Sequence, residues 1–218
     1  MATQDPSLAD ASFSLPIPPS ERMTEDEYVA WAFAQEFESE WVDGKVIVMS
    51  PISQEHDRVF HWLTRVLEHF VEEHDLGSVH GPEFQVRLAN VPSRREPDLL
   101  FVSKARSGQL RKNHLEGPPD MIAEIVSPES IERDWVEKRV EYESAGVSEY
   151  WVVDPLSQHA QVQVLSEAGK YEIVPERDGW LVSVAIQGFR LKTEWFWPAT
   201  RPKVADALRE IAAHREPS

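Results

Sequence analysis

The sequence predicts an α/β protein: a mixed β-sheet core flanked by helices, with additional antiparallel strands toward its C-terminal end. Three observations predict this. The runs EPDLLFV (96–102) and DMIAEIV (120–126) are apolar at both alternate sets of positions, as in strands covered on both faces. From about Ser53 to Asp75, the residues Val59, Leu63, Val66, Leu67, Phe70 and Val71 recur at helical spacing. Finally, the segments follow in the order α-β-β-α-β-β-β-α-β before a series of strands, which implies sheet and helix layers around one core.

Taken in order, residues 1–20 are polar with clustered prolines (LPIPP) and predict a disordered tail. A helix starts within MTEDEYVAWAFAQEF, where Thr24 and Glu27 form a capping box and Met23 can staple onto Tyr28. ESEWVDGKVIVMSP reads as a hairpin, because Asp43-Gly44 suits a type I′ turn. The long amphipathic helix ends at Gly77, EFQVRL alternates as a strand, and EPDLLFV follows. Residues 103–119 are polar and long for a connection, which points to a functional loop. After DMIAEIV, the segment DWVEKRVEYESAG predicts a helix with Asp134 or Ser130 near its start and Gly146 at its end. EYWVVD is a further strand, and AQVQVL, KYEIVP and WLVSVAI read as successive antiparallel strands. PKVADALREIAAH predicts a C-terminal helix. The expected organisation is a tail over 1–20, one domain over 21–200, and a C-terminal helix and tail over 201–218.

Composition removes several function classes. The 218 residues contain no cysteine, so disulfides, thiolate zinc sites and cysteine nucleophiles are excluded. No apolar run approaches the ~20 residues of a membrane span, and the N-terminus lacks a basic start and an apolar core segment. These features predict a cytoplasmic protein without membrane contact. No Gly-x-Ser-x-Gly elbow is present, and the nine glycines form no nucleotide-binding cluster. The net charge of −16 argues against a protein that coats nucleic acid through a basic face. It leaves open an enzyme whose divalent metal offsets substrate charge.

Glu124 lies inside the second apolar run, where an unpaired carboxylate is costly. If EPDLLFV and DMIAEIV pair antiparallel, Asp98 at the start of one meets Glu124 near the end of the other. Two close carboxylates must share a proton or a cation. Oxygen ligands of this kind suit Mg²⁺ or Mn²⁺, with water and substrate phosphate completing the shell. The plain alternative is two separate, solvated strand-end acids. Lys138 on the next helix could serve such a site; taken on position alone, it reads as a surface cation paired with Asp134 four residues earlier. Trp195 and Trp197 fit either ordinary core or a dimer contact.

The segments ESEWVDGKVIVMSPISQEHDRV, REPDLLFV, PPDMIAEIVSPES, EKRVEYESAGVSEYWVVDP and QVQVL, in this order, resemble the Uma-type restriction-endonuclease-like family, which is abundant in bacteria. The resemblance runs from about Met23 to Trp197. It implies the PD-(D/E)xK nuclease fold and metal-dependent phosphodiester hydrolysis. Pro97-Asp98 then supplies the first metal-binding acid and Glu124 the second. The usual lysine place, two residues after the glutamate, holds Val126, and Lys138 on the following helix would replace that lysine. Glu40 matches the superfamily's acid near its first core helix, with a solvated edge-strand acid as the alternative. His56 matches a family histidine that could contact metal-bound water or phosphate, or could instead cap the helix. Gln54 and Arg95 are further candidates around the site.

The expected activity is therefore a Mg²⁺- or Mn²⁺-dependent endonuclease acting on DNA, in which Asp98 and Glu124 hold the metal and Lys138, Glu40 and His56 assist. Nucleases that cut both strands are often two-fold dimers, so a homodimer is expected. Two alternatives stand beside it: a nuclease-fold module that binds DNA or a protein without cutting, and a hydrolase of small phosphoesters.

Overall fold

Helix α1 (Glu25–Ala32) opens with the capping box: Thr24 accepts from the Glu27 N–H, and the Glu27 carboxylate accepts from the Thr24 N–H. Met23 packs against the cluster of Tyr28, Trp41 and Val46. This computed structural model describes Pro19 and residues 21–214. The tail expected over 1–20, Pro19 excepted, and the last four residues, 215–218, lie outside the described residues.

Strands β1 (Ser39–Val42) and β2 (Lys45–Val48) form the hairpin, and both turn residues, Asp43 and Gly44, have positive φ as a type I′ turn requires. Helix α2 (Gln54–Glu73) follows, capped by the Ser53 hydroxyl. It stops earlier than expected. Asp75, at φ 53°, takes the left-handed position, and Gly77 begins the next strand instead. Gly77 is required there for another reason: a Cβ at this position would stand 2.1 Å from the Val102 carbonyl oxygen.

Strands β3 (Gly77–His80), β4 (Gln85–Leu88), β5 (Ser93–Arg95) and β6 (Leu99–Ser103) come next. The segment 103–119, expected as a functional loop, holds a 3₁₀ turn (Lys104–Gln109) and strand β7 (His114–Glu116), which pairs parallel with β4. Strand β8 (Met121–Ile125) leads through a π-helical turn (Arg133–Glu137) into α3 (Lys138–Ala145), which Gly146 ends in the left-handed region at φ 87°. Strands β9 (Glu149–Asp154), β10 (His159–Leu165) and β11 (Tyr171–Val174) follow. The segment WLVSVAI does not extend that antiparallel series. Its strand β12 (Trp180–Val182) pairs with β13 (Arg190–Lys192) in a separate ribbon, before α4 (Val204–Ala213).

The central sheet has six strands in the order β11-β10-β9-β8-β6-β3, and a second sheet has five in the order β2-β1-β5-β4-β7. In the central sheet β8 and β9 run parallel while the other neighbours are antiparallel, so the sheet is mixed. Side-chain alternation sorts its faces. Leu99, Phe101, Met121, Ala123, Ile125, Trp151 and Val153 share a core with α2, α4 and the β12–β13 ribbon. Leu100, Val102, Ile122, Val126, Tyr150 and Val152 share the opposite core with α3, β4 and β7. Both faces are covered, which accounts for the unbroken apolar runs. Trp195 is a buried core residue, its ring centroid 6.4 Å from that of Trp62, and the half-buried Trp197 packs against the same core.

Candidate active site

The register between β6 and β8 aligns Leu99 with Ala123, and its next step sets Asp98 opposite Glu124. By the two-residue alternation, both acids fall on the α3 face of the sheet, with Leu100 and Ile122. They border a cleft of about 480 Å³ at the end of these strands, together with His56, Glu96, Arg133, Asp134 and Lys138.

Each acid is anchored by one oxygen. Asp98 Oδ2 accepts the Ile125 N–H at 2.7 Å and lies 3.1 Å from His56 Nε2. Glu124 Oε1 accepts the Tyr142 hydroxyl at 2.8 Å and lies 2.9 Å from Lys138 Nζ. Asp98 Oδ1 and Glu124 Oε2 accept no hydrogen bond among the described residues. His56, third residue of α2, is buried, and its Nδ1 has no partner there either.

Lys138 is not a surface cation. It is 2% exposed and lies 2.9 Å from Glu124, 3.5 Å from Glu40 and 3.5 Å from Asp134. It reaches Glu124 because α3 packs on the sheet face that carries Glu124 and Val126. The place two residues after Glu124 is thus filled by a core valine, while the helix delivers the ammonium.

Glu40 is no solvated edge acid, since it is fully buried on β1. Its Oε2 takes Arg95 Nη1 at 2.8 Å, and its Oε1 takes the Glu96 N–H at 3.1 Å and faces Lys138. Arg95 in turn binds Glu141. Glu40 and Arg95 therefore stand behind Lys138, outside the cleft lining. Gln54 is exposed at the start of α2 and does not line the cleft, and no residue of 103–119 does.

The electrostatics follow from burial and the excess of carboxylates. Burial opposes the charge on Lys138, but Glu124, Glu40 and Asp134 outweigh it and raise its pKa. Burial also works against ionised Glu40, yet Lys138 and Arg95 hold its pKa down to about 2. Burial pushes Glu124 up to about 8 against the pull of Lys138, with Asp134, Asp98 and Glu40 adding repulsion. Asp134 is raised by the same burial despite Lys138 and Ser130. With Arg95 engaged by Glu40 and Glu141, the one ammonium faces two further buried acids, Glu124 and Asp134, and both are raised. Burial lowers His56, but Asp98 more than offsets this and raises it. Glu96 is pushed up to about 7 by burial, then by Glu40 and Glu38.

This surplus of poorly hydrated negative charge, with one uncommitted oxygen on each facing acid, fits a divalent cation. Among the described residues no three His, Cys, Asp or Glu side chains form a ready-made cage.

Reasoning from sequence paired Asp134 with Lys138 but on the surface, and it missed Tyr142 as a member of the cluster and Arg133 and Glu96 as cleft residues. A signal for one of these was present: Tyr142 recurs with Lys138 and Ala145 at helical spacing, which sets the lysine on the buried face of α3.

A mixed central sheet with opposed acids on its paired inner strands, and a lysine delivered from the flanking helix, defines a restriction-endonuclease-like protein. The family model described as "Uma2: Putative restriction endonuclease" matches residues 25–194, and the chain belongs to this family. It is also similar to a crystal structure described as "a putative nuclease belonging to DUF820" from Anabaena variabilis ATCC 29413. The two share 18% identity with a TM-score of 0.66, over 87% of this chain and 99% of that one, a likeness that concerns the fold. No curated protein matches the chain.

Proposed function

We propose that the chain is a Mg²⁺- or Mn²⁺-dependent endonuclease that hydrolyses phosphodiester bonds of DNA. The observation that carries this reading is the facing pair Asp98 and Glu124, each with one oxygen uncommitted, beside a buried Lys138. Asp98 and Glu124 would hold the metal, which when bound supplies Lewis-acid polarisation of the phosphate and a more acidic water. His56 and the Ile125 N–H hold Asp98 in place. Tyr142 fixes Glu124, and Glu40 together with Arg95 fixes the position and charge of Lys138. Lys138 is then the group that orients the attacking water and faces the charge growing on the phosphate. No described helix is long and apolar enough to cross a membrane. The reading places the chain's action on DNA in the cytoplasm, and a homodimer would set one cleft on each strand of a duplex.

The test is cleavage of supercoiled and linear DNA in Mg²⁺ and in Mn²⁺. The wild-type chain is expected to cut, and Asp98→Ala and Glu124→Ala to lose at least about 10²-fold in rate, the scale set by loss of one preorganised electrostatic group. Undiminished cutting by both variants would overturn the assignment. DNA binding without cutting would favour the binding-module reading, and hydrolysis confined to bis(p-nitrophenyl) phosphate would favour a small-phosphoester hydrolase.

A further inference from the structure

We propose that Arg133 is the residue that grips a phosphate of the nucleic-acid backbone at this cleft, an inference that rests on the nuclease reading above. The basic side chains lining the cleft differ in one respect. Lys138 is committed to Glu124, Glu40 and Asp134, His56 to Asp98, and His61 to Asp57. Arg133 lines the same cleft, and its side chain makes no hydrogen bond or ion pair among the described residues. Its Nε is buried and without a partner. Its charge reaches Glu40 and Asp134 at longer range, which holds it beside the carboxylates without being consumed by them.

The backbone explains why an arginine here faces the cleft at all. In a regular α-helix, residues five apart stand about 140° apart around the axis. The turn at Arg133–Glu137 is π-helical, and the Lys138 N–H donates to the Arg133 carbonyl, five residues back. An i→i+5 closure brings those two residues close to one side of the helix. The extra residue in the turn therefore sets Arg133 on the side from which Lys138 reaches Glu124. A planar, permanently charged guanidinium with its donors unused is matched to two oxygens of a phosphodiester. In a chain of net charge −16, such a contact supplies local attraction that the surface as a whole does not.

The experiment compares wild type, Arg133→Gln and Arg133→Lys as full chains. Cleavage of a labelled duplex in Mn²⁺ gives kcat and KM. Anisotropy of the same duplex in Ca²⁺, across a range of salt, gives the slope of log K against log salt. For Arg133→Gln we expect KM to rise about tenfold with kcat changed far less, and the slope to fall by about one unit, as for loss of one phosphate contact. Arg133→Lys should recover the slope and part of KM. A side chain that served folding alone would leave the slope unchanged. Wild-type KM and slope in Arg133→Gln would overturn the assignment and leave the nuclease reading intact. If wild type neither cuts nor binds the duplex, the nuclease reading fails by itself, and calorimetric titration with inorganic phosphate then decides. Weaker uptake by Arg133→Gln than by wild type would uphold Arg133 as an anion site, and equal uptake would overturn it.

Discussion

Replacing Lys138 with methionine is expected to destabilise the protein by about 3–5 kcal/mol at pH 8, because it strands buried carboxylates without their counter-ion. The three acids affected are Glu124, Glu40 and Asp134, all almost fully buried. The loss should shrink as pH falls, because protons on these buried carboxyls can then take the place of the ammonium. Cleavage is expected to fall by about 10²–10⁴-fold even where the variant is folded, the range for loss of a positioned catalytic group. Urea denaturation at pH 8 and at lower pH, paired with plasmid nicking, reads both effects. Wild-type stability at pH 8 would contradict the buried network, and wild-type cleavage would remove Lys138 from the chemistry.

The second large effect belongs to Glu124→Gln in the metal-free protein. The folded pKa of Glu124, about 8, lies above its ordinary value of 4.5. Between those pH values the folded state keeps a proton that the unfolded state releases. Stability must therefore fall as pH rises through this window, by up to about 1.4 kcal/mol per pH unit, and level off above pH 8. Glutamine can still accept from Tyr142 and face Lys138, yet it does not titrate. The variant is thus expected to lose this part of the slope and to exceed wild type in stability at pH 8, while losing cleavage. Parallel stability curves from pH 5 to 8 would show that Glu124 is ionised throughout.

The pairing of β6 with β8 was legible in the sequence because both strands are unbroken apolar runs, and their antiparallel register leaves little choice of where Asp98 and Glu124 meet. The capping box of α1 and the type I′ hairpin were legible for a similar reason: each rests on local backbone chemistry. The second sheet was not. Strand β5 is Ser93, Arg94 and Arg95, all buried, and hydropathy patterning does not find a polar strand whose arginines are buried against carboxylates. The helix around Lys138 misleads in the same way. Val136 and Val140 are 54% and 52% exposed, while Lys138 is 2% exposed, so the usual inside-outside rule is inverted there. Rules of that kind price each side chain alone. Here the burial of one charge depends on three others, two of them, Glu40 and Glu124, contributed by distant segments, and that is a property of the fold.

The central claim is that Asp98 and Glu124 form one divalent-cation site, and calorimetric titration of the full chain with Mn²⁺ near pH 8 tests it most directly. Wild type is expected to take up Mn²⁺ with proton release, seen as a heat that varies with the ionisation enthalpy of the buffer, because the metal displaces the proton held around Glu124. Asp98→Asn, which keeps the side chain's shape, is expected to lose that uptake. Absence of Mn²⁺ binding in wild type, or equal binding by Asp98→Asn, would contradict the account.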